Sequence, residues 1–157
     1  MKQQQGFTLI EIIVYSGIMV AFVTTALLSL QQMLGSSDRV KQQRELNENH
    51  RFLVQKLNWA LSNVQVINSP AAGANAASIS INQLNFSSNP IVLDLSGGVM
   101  RVATGGGPAM ALSNGYVTIS NLLFSHEVFD FQSAIHVTGL LSNSVATSAL
   151  DNWFYIK

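Results

Sequence analysis

The side chains able to do acid–base, metal or nucleophilic chemistry are few and scattered. There are three histidines, eight acidic residues and no cysteine, which excludes disulfides, thiolate zinc sites and a thiol nucleophile. The nearest thing to a ligand cluster is His126, Glu127, Asp130 and His136. A metal needs such groups to converge, and strand alternation would turn Glu127 away from His126, so they read as exposed loop and strand residues. Asp94 and Asp151 are isolated, and no carboxylate pair suggests general acid–base work. Gly105, Gly106 and Gly107 lack the Lys-Ser/Thr of a phosphate loop and read as a flexible turn. The sequence therefore reads as a non-enzyme with no cofactor. One acidic residue stands apart from all these, because of where it lies: Glu11.

Glu11 is the single charge in an otherwise apolar run over residues 7–30. At ~1.5 Å per residue a helix over that run extends about 36 Å, enough to cross a ~30 Å hydrocarbon layer with some tilt. An ionised carboxylate placed centrally there costs roughly 2.5–3.5 kcal/mol on insertion scales. Either Glu11 lies close enough to the interface to escape that cost, or the segment has two homes. In the second case it rests in a bilayer first, and Glu11 meets its partner later, in a protein assembly. The run exceeds the 7–15 residues of a signal-peptide core and no Ala-x-Ala site follows it, so cleavage behind it is not expected.

The elements that would carry these residues follow from pattern. Residues 1–6 form a polar leader with one basic side chain, Lys2. Residues 7–34 form the apolar helix, and Gly35, Ser36, Ser37 and Asp38 mark a bend or fray. Residues 35–69 read as an amphipathic helix. Leu46, His50, Leu53, Leu57, Ala60, Val64 and Ile67 step by three and four along one face, and Arg39, Lys41, Arg44, Glu45, Glu48, Arg51 and Lys56 form a solvated face. Ser69-Pro70 should end that helix.

Beyond Pro70 the period changes to two. Short runs about Ile79, Ile91, Val99, Met110, Val117, Leu122, Ile135 and Trp153 are separated by turn signals such as Ser96-Gly97-Gly98 and Asn114-Gly115. The run from Leu122 to Val128 is apolar enough to be buried on both sides. The expected fold is α+β, with a long N-terminal helix packed on an antiparallel β-rich domain over residues 70–157. The amphipathic half of the helix supplies the cover. Composition agrees: 48% of residues are hydrophobic, 10% are charged, and the formal net charge is zero. A balanced charge gives no general attraction to nucleic acid.

Gly6, Phe7, Thr8, Leu9, Ile10 and Glu11, after a short basic leader and before an unbroken apolar helix, resemble the start of type IV pilins and pseudopilins. The resemblance covers roughly residues 1–30 and extends downstream in architecture only. It implies cleavage after Gly6 by a prepilin peptidase, N-methylation of Phe7, and an assembly role for Glu11. It also implies an inner-membrane anchor before assembly, an inner-membrane assembly platform, and other pilin or pseudopilin subunits as partners in a pilus or secretion pseudopilus. The β domain would lie outside the cytoplasm.

Two features depart from many major pilins: no cysteine pair closes a C-terminal loop, and no proline interrupts the apolar segment. The amphipathic helix followed by β strands looks more like minor pseudopilins of the J or W type. Arg39, Lys41, Arg44 and Arg51 after the span favour the opposite orientation by positive-inside counting. Glu45 and Glu48 are interspersed among them, and the leader motif takes precedence. A major pilin and a filament-displayed binding module, for adhesion or DNA uptake, remain the alternatives.

Overall fold

The computed structural model describes residues 8–130 and 132–156. Among the described residues a single helix, α1 (Leu9–Leu61), precedes nine strands. The chain divides into two compact units, Met1–Val40 and Lys41–Lys157.

Within the first unit α1 is apolar and uncovered. Leu9, Ile13, Phe22, Leu30 and Met33 are all exposed. Four of its hydroxyl side chains turn back on their own helix. Ser16 donates to the Ile13 carbonyl at 2.9 Å, Thr24 to Val20 at 2.8 Å, Thr25 to Ala21 at 2.8 Å and Ser29 to Thr25 at 3.0 Å. Residues 35–38 are helical, so the pattern continues there without a stop.

In the second unit the rest of α1 lays one stripe into a core. Leu46, Leu53, Leu57, Ala60 and Leu61 are buried, each within 4% of full exclusion from solvent. That is the three-and-four spacing the sequence predicts, and a buried leucine contributes about 1.5–3 kcal/mol. His50 sits on the same face at its margin, half-buried, with its Nδ1 2.7 Å from the Ser148 hydroxyl.

The helix ends at Leu61, short of the Ser69-Pro70 stop expected from sequence. Two local features end it. Asn63 takes a left-handed conformation (φ 56°), a habitual way to leave a helix. The side-chain amide of Gln83 then donates to the carbonyls of Trp59, Ala60 and Ser62 at 2.6, 3.0 and 3.1 Å. Val64 and Ile67, expected on the helical stripe, belong instead to β1 (Val64–Ser69).

The remaining strands are β2 (Asn75–Ala76), β3 (Ile79–Gln83), β4 (Ile91–Ser96), β5 (Val99–Thr104), β6 (Met110–Ala111), β7 (Thr118–Phe129), β8 (Gln132–Ser142) and β9 (Thr147–Tyr155). They form two antiparallel sheets rather than one, ordered β1-β3-β4-β5-β6 and β2-β7-β8-β9. Ile79, Ile81, Ile91, Leu93 and Met100 from the first share one core with Ile119, Phe124, Ile135, Val137 and Leu141 from the second. The fold is α+β, as the sequence implies.

The sheets are stitched at the β4–β5 turn, where the Ile119 amide donates to the Gly98 carbonyl at 2.8 Å. Gly98 has φ +77°, and a Cβ there would come within 2.7 Å of Thr118 Cγ2, so both conformation and space require glycine. Leu122 and the residues after it are not buried on both sides. Leu122, Phe124 and His126 face inward while Leu123 and Val128 are exposed. A bulge between Ser120 and Leu123, with Asn121 at φ 53°, resets the register so that β7 runs unbroken through both predicted runs.

Candidate functional site

Glu11 occupies the first turn of α1, half-exposed. Its backbone amide donates to the Thr8 carbonyl at 3.1 Å, so Thr8 opens the helix immediately before the apolar run. A carboxylate in a first turn faces the positive end of the helix dipole. Beyond it, no other Asp, Glu, Lys or Arg occurs before Asp38. The hydroxyls of Ser16, Thr24, Thr25 and Ser29 are satisfied by the helix itself, as a lipid or protein interior requires. Glu11 is thus the single charged group in an otherwise apolar stretch. Gly6 and Phe7, the expected cleavage and methylation positions, lie outside the described residues.

The helix is long and apolar enough to cross a membrane, and its most apolar window has no buried residue. It is placed near the N-terminus, where the sequence analysis expects the anchor.

The polar groups of the second unit have structural employment. His126 is buried, contrary to its expected exposure, because alternation along β7 turns it inward. Its Nδ1 lies 3.0 Å from the Pro70 carbonyl, which has only lone pairs to offer, so Nδ1 carries the hydrogen and donates. Its Nε2 lies 3.3 Å from the Ser133 hydroxyl. Glu127 points the other way, as alternation requires, and Asp130 lies exposed in the β7–β8 turn at φ 46°. Among the described residues no three His, Asp or Glu side chains gather as a metal would need.

Asp151 and Asp94, isolated in sequence, both acquire cross-strand partners. Asp151 meets His136 Nε2 at 2.7 Å across the β8–β9 register, and His136 stacks on Trp153 with centroids 4.1 Å apart. Asp94 accepts two hydrogen bonds from Arg101, at 2.8 and 2.7 Å. That hydrogen bonding pushes the Arg101 guanidinium above its ordinary value, against desolvation and with Coulomb attraction to Asp94 adding. Each ties neighbouring strands together on an outer face. The His50–Ser148 pair has the atoms of a nucleophile and base. Among the described residues no carboxylate bonds to His50 to complete a triad, and the pair tethers α1 to β9.

Sequence reasoning missed one feature altogether. A groove of about 730 Å³ opens between the end of α1 with the start of β1 (Asn58, Leu61, Val64, Gln65) and the end of β9 (Trp153, Phe154, Tyr155). Its walls are remote in sequence, and the only advance signal was the aromatic run Trp153-Phe154-Tyr155.

No protein-family model, curated protein or solved structure gives a significant match to the chain.

Proposed function

We propose that the chain is a structural subunit of a type IV pilus or of a type II secretion pseudopilus, in a minor position. In this reading a prepilin peptidase cuts after Gly6 and methylates Phe7. The apolar half of α1 anchors the subunit in the inner membrane with the β domain outside the cytoplasm. On assembly the same helix moves from lipid into the filament core. The observation that carries the reading is the uncovered apolar stretch of α1 with its one carboxylate, Glu11, in the first turn. Such a helix is suited to lipid and to a bundle of like helices alike. Only the bundle offers a cation, the free amino terminus at Phe7 of a neighbour, to a carboxylate that has left water.

Co-expression with a prepilin peptidase, followed by mass spectrometry of the purified chain, tests this. The expected product lacks residues 1–6 and carries a methyl group on the amine of Phe7. An unaltered N-terminus in the presence of active peptidase would remove the basis for the assignment.

A further inference from the structure

Each sheet has two edges, and three of the four carry familiar protection against stray pairing. The outer strands β2 and β6 are two residues long. The other edge of the five-stranded sheet, β1, is broken by two register shifts. Very short edge strands and bulges are the usual ways of blunting an edge. The exception is β9. It runs nine residues in unbroken register with β8 and has no proline, and its single charge, Asp151, is engaged by His136 on the β8 side. A long, regular, unblocked edge strand is a template for another strand.

The direction of its backbone groups follows from one hydrogen bond. The Ile156 amide donates to the Ser133 carbonyl at 2.9 Å, which fixes the alternation along the antiparallel ladder. Phe154 and Asn152 therefore pair with β8, while the N–H and C=O of Tyr155, Trp153 and Asp151 point out of the sheet. Tyr155 and Trp153 present them toward the groove described above. Among the described residues, none lining that groove is Asp, Glu, Lys, Arg or His. Its far wall, the end of α1 and start of β1, stands opposite β9, and the groove between them holds about 730 Å³.

We propose that the free edge of β9 is a docking site for an extended, uncharged segment of a partner polypeptide. The segment adds to the four-stranded sheet as a further strand and lies in the groove against the end of α1. Its backbone answers the outward N–H and C=O of Trp153 and Tyr155, and alternate side chains rest on the uncharged walls. This is strand addition at a sheet edge, in which main-chain bonds give affinity and side-chain pockets give selectivity. The inference stands apart from the use made of the apolar helix.

The test uses the full chain in detergent micelles and a labelled, acetylated and amidated peptide, Thr-Val-Thr-Val-Ser-Val. Saturable binding is expected, with slowed amide exchange at Trp153 and Tyr155. Tyr155→Pro removes only an outward N–H, which an edge strand tolerates, and should weaken binding by roughly tenfold or more. Tyr155→Ala keeps that N–H but loses a groove-lining ring, and should bind more tightly than Tyr155→Pro. Should Tyr155→Pro melt earlier than the parent, the same peptide N-methylated at alternate amides replaces it and is expected not to bind. Three results would overturn the proposal: no saturable binding of the unmethylated peptide, equal binding of the methylated one, or a dimer of the chain itself that Tyr155→Pro dissolves. The last would assign the edge to a second copy.

Discussion

The side-chain amide of Gln83, at the end of β3, donates a 3.0 Å hydrogen bond to the Ala60 carbonyl in the last turn of α1. The same nitrogen serves Trp59 and Ser62, and Gln83 is itself 7% exposed. One strand residue thus satisfies carbonyls that every helix end leaves without partners. Gln83→Leu removes the donor but leaves the acceptors in place. Stability should fall by about 1–3 kcal/mol, the cost of stranding buried polar groups. Chemical denaturation of the detergent-solubilised chain would measure it. Gln83→Glu should be worse than Gln83→Leu, because a carboxylate would then face carbonyl oxygens.

His126 performs a similar service for the segment leading into β2. Besides the Nδ1 bond to Pro70, its backbone exchanges bonds with that segment: Gly73 N–H to the His126 carbonyl at 2.7 Å, and His126 N–H to the Ala74 carbonyl at 3.0 Å. His126→Ala should leave the backbone pair in place but weaken it, speeding amide exchange at Gly73 while the β8–β9 ladder stays protected. His126→Asn, whose side-chain amide reaches near the Nδ1 position, should restore much of the protection. Hydrogen exchange read residue by residue separates the two.

These two residues also mark where sequence reasoning stops. The stripe through Leu46, Leu53, Leu57 and Ala60 was legible because helical periodicity is written in consecutive residues. The end of the helix was not, since Val64 and Ile67 continue the period, and what stops it is the left-handed turn at Asn63 together with Gln83, which is distant in sequence. Likewise the period-two pattern announced strands but not their partition into two sheets, which depends on how the Gly98 turn meets Ile119. The burial of His126 and the pairing of Asp151 with His136 are consequences of register, which a single run of residues does not encode. Of the candidate site, Glu11 and its apolar setting are plain from the sequence, because a lone charge in a hydrophobic stretch needs no tertiary information. The β9 edge required topology.

Burial divides α1 into stretches that should respond oppositely to the same change. Leu53 is fully buried in the second unit, whereas Phe22 in the first is 75% exposed. Leu53→Ala should cost about 2–5 kcal/mol, from lost transfer energy and the cavity left behind. Phe22→Ala should leave the unfolding of the β domain unchanged within about 0.5 kcal/mol. It should instead weaken whatever covers that helix in a membrane or an assembly. Denaturation followed by Trp59 and Trp153 fluorescence reports the first effect, and membrane fractionation with filament yield reports the second.

Glu11 gives the sharpest separation between anchoring and assembly. As a lone acidic group in the first turn of an apolar helix, it opposes membrane insertion, so Glu11→Leu should insert at least as well as the parent. If a neighbour's amino terminus at Phe7 is its partner in the filament, the same substitution strands a buried cation there, which is strongly destabilising. Incorporation into sheared filaments should therefore collapse while membrane-bound chain accumulates. Glu11→Gln removes the charge and keeps hydrogen-bonding capacity. It should fall between the two, because the amide can still accept from the ammonium without neutralising it. Equal incorporation of Glu11→Leu and the parent would mean that the carboxylate plays no part in assembly, and would leave only the interfacial explanation of its presence.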